Sequence, residues 1–377
     1  MTAEIAQNHG DNCLPQPSTR RRFLGQAALS AGGLAAIASQ PCTARAAPAR
    51  PERIKIGQIG TGHAHAVKLE VYRRSPDYEV VGVVEPDSQL RAQAEKTAAF
   101  RGLPWLTERQ LLDTPGLQAV LVETRMRDLL ATAERCVAAG KHVHLDKPAG
   151  ESLAQYRRLL HQAEQHKLLV QMGYMFRYNP AVVLLRQFLQ EGWLGEVFEV
   201  QGVISKTLGS ADRLVPAAYP GGMMFELGCH LIDLLVGVLG KPTRVESIAR
   251  HSSPLPDNLV DNMLAVCEYP RAIATIKTSA QEVDGGRWRQ FVVCGTAGTF
   301  QIQPIEAPAV RYSLDRDRGS YHKGTHNLQV GPYERYVADA ADMARILRGE
   351  KPCDFPMAHD LAVQETVLLA SGLLLAG

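Results

Sequence analysis

The stretch Ile54-Lys55-Ile56-Gly57-Gln58-Ile59-Gly60-Thr61-Gly62-His63-Ala64-His65 decides how this chain is read. Ile54, Ile56 and Ile59 form a short apolar strand that ends in glycines. A Gly-x-Gly at that point permits a tight turn and brings backbone N–H groups close to a pyrophosphate, whose charge the N-terminus of the next helix favours. Glycine turns after strands are common, so the surroundings must carry the assignment. Glu85 supplies the first support. It follows a second buried strand, Val80-Val81-Gly82-Val83-Val84, 25 residues beyond Gly60, where an acid hydrogen-bonds the ribose hydroxyls of an adenosine. An acid there repels a 2′-phosphate, which favours NAD over NADP. The third fingerprint position is His65 in place of Gly or Ala, leaving less room between helix and strand.

From this loop onward, strands and amphipathic helices alternate. Ala119 to Val122 and His142 to Leu145 read as further strands, and Leu168 to Gln171 as the last. Helices fall between them, at Gln89 to Phe100 and Leu129 to Ala139, and from the Ser152 cap to His166. That order predicts an α/β domain over 53–174, a parallel sheet wound with helices. After Asn179-Pro180 the rhythm changes. Val197 to Ile204, Arg244 to Ala249, Met263 to Tyr269, Ile273 to Ser279 and Gln290 to Cys294 are strand-like runs, interrupted by one long helical stretch, Met223 to Leu239. Helical segments return over Tyr333 to Leu347 and Asp360 to Leu375. The prediction for 175–377 is an α+β domain on a mostly antiparallel, open-faced sheet.

The 377 residues, 45% hydrophobic, are enough for two cores. Thr19-Arg20-Arg21-Arg22-Phe23-Leu24 pairs arginines with a short Ala- and Gly-rich apolar run, and Ala44-Arg45-Ala46 has the small-x-small pattern of a signal-peptidase site. Residues 1–46 thus read as a twin-arginine export signal, and 47–52 as a linker. The run is too short and Gly-rich to span a bilayer, so no stable membrane insertion is expected, and the localisation predicted is periplasmic or otherwise exported. Losing Arg20, Arg21, Arg22 and Arg45 against Glu4 and Asp11 leaves 37 basic and 37 acidic side chains, a balance with no electrostatic footprint for nucleic acid. Cys136, Cys229, Cys267, Cys294 and Cys353 follow no ligand spacing and read as small buried hydrophobes. His63 with His65, and His142 with His144, share faces at i, i+2, yet no partner ligand can be placed by spacing, so no metal is expected. His63 and His144 are expected to line the substrate cleft.

Gly140-Lys141-His142-Val143-His144-Leu145-Asp146-Lys147-Pro148 resembles the Glu-Lys-Pro motif of the glucose-fructose oxidoreductase, inositol dehydrogenase and rhizopine-catabolism protein family, with Asp146 in the Glu place. Gly173 to Pro180 looks like that family's Arg-Phe-Asn-Pro entry to the second domain, which brings in Arg177. Gly221 to Asp233 looks like its Gly-Gly, Asp-x-x-x-His, x-x-Asp helix, and Cys294 to Thr299 like its late Gly-Thr-x-Gly turn. The family's Thr-Pro-Asn-x-x-His loop reads here Thr124-Arg125-Met126-Arg127-Asp128-Leu129, without the Pro, Asn and His.

The resemblance implies a nicotinamide-dependent oxidoreductase acting on a CH–OH group of a sugar, polyol or glycoside. It implies Lys147, His230 and Glu226 as catalytic residues, and Gly60, Thr61, Gly62, His63, Glu85, Thr124, Asp146, Lys147 and Arg177 as contacts to NAD. Oxidising a carbinol requires a base within hydrogen-bond reach of its hydroxyl. Lys147, at a strand's carboxyl edge, can hold that oxygen. His230 has the ordinary pKa nearest neutrality, and Glu226, four residues earlier, can orient the imidazole or a substrate hydroxyl. Asp233 is expected to tie the helix to its surroundings. Export by the twin-arginine translocase, which carries folded proteins, implies a tightly bound cofactor reset within each cycle or by a second substrate. Two alternatives stand beside this reading. One is a redox-neutral glycoside hydrolase or lyase working by transient oxidation and elimination; the other is a sugar sensor without turnover. The exposed sheet face predicts a homo-oligomer.

Overall fold

The computed structural model describes residues 52–373. The proposed export signal, nearly all of the linker and the last four residues lie outside them. Strands β1 (Ile54–Ile59), β2 (Tyr78–Val84), β3 (Leu117–Val122), β4 (His142–Leu145) and β5 (Val170–Met172) form one sheet in the order β2-β1-β3-β4-β5, parallel throughout. Its strands are near-continuous apolar runs because helices cover both faces, and such burial is what parallel pairing requires. Helices form where the sequence places their caps. The Ser152 Oγ accepts from the Gln155 amide at 3.2 Å to start Leu153–Gln165, which buries Tyr156, Leu159, Leu160 and Ala163.

Register explains why chemistry collects at one edge. Ile59 pairs with both Val84 and Val122, Val122 with Leu145, and Leu145 with Met172. The five strands therefore end level, and the residues that follow, Gly60, Glu85, Glu123, Asp146 and Gly173, stand side by side along the carboxyl edge. Open α/β sheets bind ligands at that edge, and three of these five residues are carboxylates.

The second sheet has eight strands. To β6 (Val197–Val203), β7 (Arg244–Arg250), β8 (Asn262–Glu268), β9 (Ile273–Ser279) and β10 (Gln290–Gly295) it adds β11 (Gly298–Ile302), β12 (Ala309–Leu314) and β13 (Gly324–Gln329). The order is β13-β12-β11-β10-β6-β9-β8-β7, with every pairing antiparallel except β6 with β9. The last three strands and the helix Ser210–Ala217 were not anticipated from the sequence, because Gly324-Thr-His-Asn-Leu-Gln329 and its neighbours carry too few apolar residues to stand out. One face receives the helix Cys229–Leu239. A Cβ at Gly202 would lie 2.9 Å from the Leu231 side chain, so the missing side chain in β6 is what lets that helix seat. The helix Met357–Ala370 packs beside it and reaches back to the first sheet. Gln364 accepts from the Ala149 amide at 3.1 Å and donates to the Gly150 carbonyl at 2.5 Å, clamping the turn after Lys147.

Candidate active site

Gly60 adopts φ +93°, and a Cβ there would lie 2.5 Å from the Thr124 nitrogen, so only glycine fits between β1 and the end of β3. The bare backbone opens on a cleft of about 640 Å³ lined by Gly60, Gly62, Glu85, Trp105, Thr124 and Arg125. Glu85 stands at its floor. One carboxylate oxygen accepts from the Thr61 amide at 2.7 Å and hydroxyl at 2.8 Å, and the other from the Asp87 amide at 3.0 Å. The second oxygen, with one bond accepted, keeps a lone pair that can meet a ribose hydroxyl. The glycine cradle and the acid placed across from it fit the adenosine half of a dinucleotide. Gly60, Gly62, Glu85 and Thr124 line this cleft, while Thr61 acts through Glu85.

At the inner end of the cleft the row of strand ends gathers a buried polar cluster around Asp146. One oxygen of Asp146 lies 2.7 Å from His63 Nδ1 and 3.3 Å from Lys68 Nζ. The other lies 3.2 Å from His65 Nδ1 and accepts from the Lys147 amide at 2.7 Å. Lys68 also reaches Glu123 at 2.9 Å, and these three side chains, Asp146, Glu123 and Lys68, are wholly buried. Burial opposes ionisation of Asp146, but the His63 and Lys68 charges outweigh it and hold the carboxyl well below the usual range. Glu123 goes the other way, raised by burial and by the Asp146 charge beside it. The two buried carboxylates thus share one ammonium, with Asp146 shifted toward its charged form and Glu123 toward its neutral one. His63, His65 and Asp146 also place three donor atoms within 4.8 Å of one another, a spacing open to a metal ion. The Lys68 ammonium already brings positive charge to that carboxylate.

Lys147 follows Asp146 and leads into Pro148 through a cis peptide, and its Nζ donates to the Glu226 carbonyl at 2.8 Å. Glu226 lies in a π-helical turn, Met224–Gly228, that leads into the helix carrying His230. The wider turn corrects the i, i+4 expectation. The Glu226 carboxylate pairs with Lys206 at 3.2 Å, and it is the backbone carbonyl that holds Lys147. His230 is 2% exposed, its ring 5.3 Å from Phe176 and 5.9 Å from His65, and burial followed by the Lys147 charge pulls its pKa well below the ordinary value. The ammonium just past β4 and an imidazole on the helix Cys229–Leu239 therefore lie near enough for the one charge to act on the other.

Two other expectations are corrected. Arg177 has its guanidinium engaged within the protein. It is buried in a bidentate pair with Asp233, as close as 2.6 Å, and reaches Asp360 at 2.6 Å, so its charge is consumed in joining three segments of the second domain. His144 lines no cleft. Its ring is fully buried against Tyr72 and lies 3.9 Å from Asp339. His142 serves the backbone, its Nδ1 accepting from the Leu169 amide at 2.9 Å. The five described cysteines are free thiols, three of them buried. Sequence reasoning missed Lys68, Glu123, Lys206, Arg289 and Tyr336 at the site. The one signal for Lys68 was its place three residues after His65 in an otherwise amphipathic segment.

Comparison with known proteins agrees with this geometry. A model of the oxidoreductase family with an NAD-binding Rossmann fold, GFO/IDH/MocA, matches residues 54–174, and the GFO/IDH/MocA C-terminal domain matches 182–301. The chain is 27% identical over 255 residues to trans-1,2-dihydrobenzene-1,2-diol dehydrogenase of Sus scrofa, covering 66% of this chain and 74% of that one. Among solved structures it is similar to an oxidoreductase from Agrobacterium radiobacter in complex with NAD+, L-tartaric acid and magnesium, at TM-score 0.72 and 14% identity over 85% of this chain and 97% of that one. It is likewise similar to UDP-N-acetylglucosamine 3-dehydrogenase from Acidithiobacillus ferrooxidans, at TM-score 0.71 and 16% identity over 86% and 98%.

Proposed function

The chain belongs to the GFO/IDH/MocA oxidoreductases, and from that premise we propose that it is exported and oxidises a carbinol of a sugar, polyol or glycoside with a tightly held NAD. The observation that carries this reading is that the Lys147 ammonium, just past the carboxyl edge of the first sheet, is held at 2.8 Å by the Glu226 carbonyl, four residues before His230, and acts on that imidazole. When bound, the nicotinamide supplies a two-electron hydride acceptor. Everything else falls to the chain's own side chains. Lys147 grips the reacting oxygen and favours its alkoxide, one neutral imidazole of the site accepts its proton, and the apolar walls of Tyr174 and Phe176 exclude water. The twin arginines at Arg20 and Arg21 support export, and among the described residues no helix is long and apolar enough to cross a membrane. Phe198 on β6 and Ile273 on β9, 47% and 59% exposed, support an interface with a second copy.

The test begins with protein purified in its native state. Mass spectrometry of heat-released small molecules is expected to find NAD, and a panel of aldoses, polyols and glycosides to include one that raises the absorbance of reduced nicotinamide. Protein that carries no nucleotide and shows no thermal shift with added NAD would end the proposal.

Glu85 supports NAD over NADP, since its carboxylate would face a 2′-phosphate. Glu85→Ser removes a hydrogen bond to a charged group, worth about 1.5–3 kcal/mol. Titration is expected to find NAD+ binding weakened about tenfold or more, with NADP+ gaining relative to it. An unchanged ratio of the two dissociation constants would show that Glu85 does not read the ribose.

A further inference from the structure

The site holds two imidazoles, and their surroundings are not equivalent. His230 Nδ1 is buried with no hydrogen-bond partner among the described residues, and of the charges acting on the ring Lys147, His65 and Arg289 oppose its protonation, while Asp146 favours it without a hydrogen bond to it. An imidazolium formed there has no hydrogen-bonded counter-charge. His65 lies 5.9 Å away, between the rings of His230 and Tyr336, with its Nδ1 3.2 Å from the Asp146 carboxylate. A carboxylate on Nδ1 makes that nitrogen the protonated one and leaves a free lone pair on Nε2, at the opposite side of the ring. The other ionisable groups around His65 are Lys147 at the end of β4, His63 on its own loop and, across Asp146, Lys68 with Glu123.

Resting on the reading above, we propose that His65, oriented by Asp146, is the proton acceptor of this site, and that His230 positions the reacting hydroxyl as a neutral hydrogen-bonding group. In the step, the carbinol O–H bond breaks and its proton forms an N–H bond at His65 Nε2. The adjacent C–H electron pair leaves as hydride to the nicotinamide, and a C=O bond remains. The imidazolium so formed stands against the ionised Asp146, the arrangement by which a buried acid makes an imidazole a competent base. Burial, the largest influence, pushes His65 down to about 3 and His230 well below its ordinary value, so both stand neutral before the step. Only at His65 does a hydrogen-bonded carboxylate oppose that push. His65 also occupies the third fingerprint position, where a small residue is the norm. It caps the short turn Ala66–Lys68 before the helix Leu69–Arg74 and places a base where a glycine would place none.

Two measurements test the assignment, and the first needs no substrate. Nitrogen-15 NMR of the histidine-labelled full chain with NAD at neutral pH is expected to find His65 as the Nδ1–H tautomer, and to find that state lost in Asp146→Asn. An Nε2–H tautomer in the unaltered chain would overturn the proposal. So would a stoichiometric divalent metal copurifying with His63, His65 and Asp146, because Nδ1 would then carry the ion in place of a proton. The second uses any carbinol oxidised in the panel above. His65→Ala is expected to lower kcat by about 10²-fold or more with KM little changed, and free imidazole to restore turnover in proportion to its neutral form. His65→Gln, closer in size, checks by thermal melting that folding is intact. Full turnover by a folded His65→Gln enzyme would overturn the proposal. A panel with no oxidised member defeats the functional reading, while the tautomer still judges His65.

Discussion

Lys147→Met is expected to leave a folded, NAD-binding protein whose kcat has fallen by about 10²–10⁴-fold, the range for a positioned acid–base or charge-stabilising group. Methionine matches the length of the lysine stem, so the buried space is filled and the loss is electrostatic. The direct structural cost is small. The Glu226 carbonyl loses its 2.8 Å donor, a penalty of about 1–3 kcal/mol for an unpaired buried acceptor. Nucleotide affinity should change little, because the cradle at Gly60 and Glu85 does not involve Lys147. Lys147→Arg should not rescue turnover, since the broader guanidinium holds its charge as a planar fork and does not fit the space of a compact ammonium. Steady-state kinetics with isothermal titration of NAD+ separates these effects. Turnover within threefold of the parent would remove Lys147 from the chemistry.

Much of this site was legible in the sequence because its placement follows from local rules. A strand that ends in Gly60-x-Gly62 and an acid at the end of the next strand can be read locally, and both line the one cleft. Lys147 and His230 could be named because motif order survives in the chain. What could not be read depends on neighbours far apart in sequence. No period or spacing announces that Glu123, Asp146 and Gly60 end level, since only the sheet register brings them abreast. The π-helical turn at Met224–Gly228 leaves the Glu226 carboxylate paired with Lys206, and the Gly221-Gly222 pair before it announces a turn without announcing a π-helical one. Arg177 was misassigned for a related reason. The sequence shows an arginine at a domain entry, while its partners Asp233 and Asp360 lie 56 and 183 residues away. Strand β13 escaped notice because it buries no side chain, and β11 and β12 because they are short, burying only Phe300 and Ile302, then Val310, Tyr312 and Leu314.

Asp146→Asn is expected to be the most damaging single change to stability, because the carboxylate it removes neutralises a wholly buried ammonium. Lys68 Nζ lies 3.3 Å from it, and breaking a buried ion pair from one side costs about 3–5 kcal/mol. Glu123 lies 2.9 Å from the same ammonium, yet Glu123→Gln should cost far less, about 1 kcal/mol, since Glu123 is the partner raised toward its neutral form and glutamine keeps the accepting oxygen. The pH dependence follows from the sign of each shift. Asp146 is depressed in the folded state, so its contribution is fully present above the ordinary carboxyl value of about 4 and is lost as pH falls through the folded one. Lys68 is raised, so its contribution is fully present below the ordinary value of about 10.4 and is lost as pH rises through the folded one. The stability gap between parent and Asp146→Asn should therefore be widest from about pH 5 to 10 and close in acid. Urea melts of both variants across that range measure it. If Glu123→Gln proved the more costly of the two, the ionised partner of Lys68 would be Glu123, and Asp146 could not be the group that holds the His65 imidazole in its working tautomer.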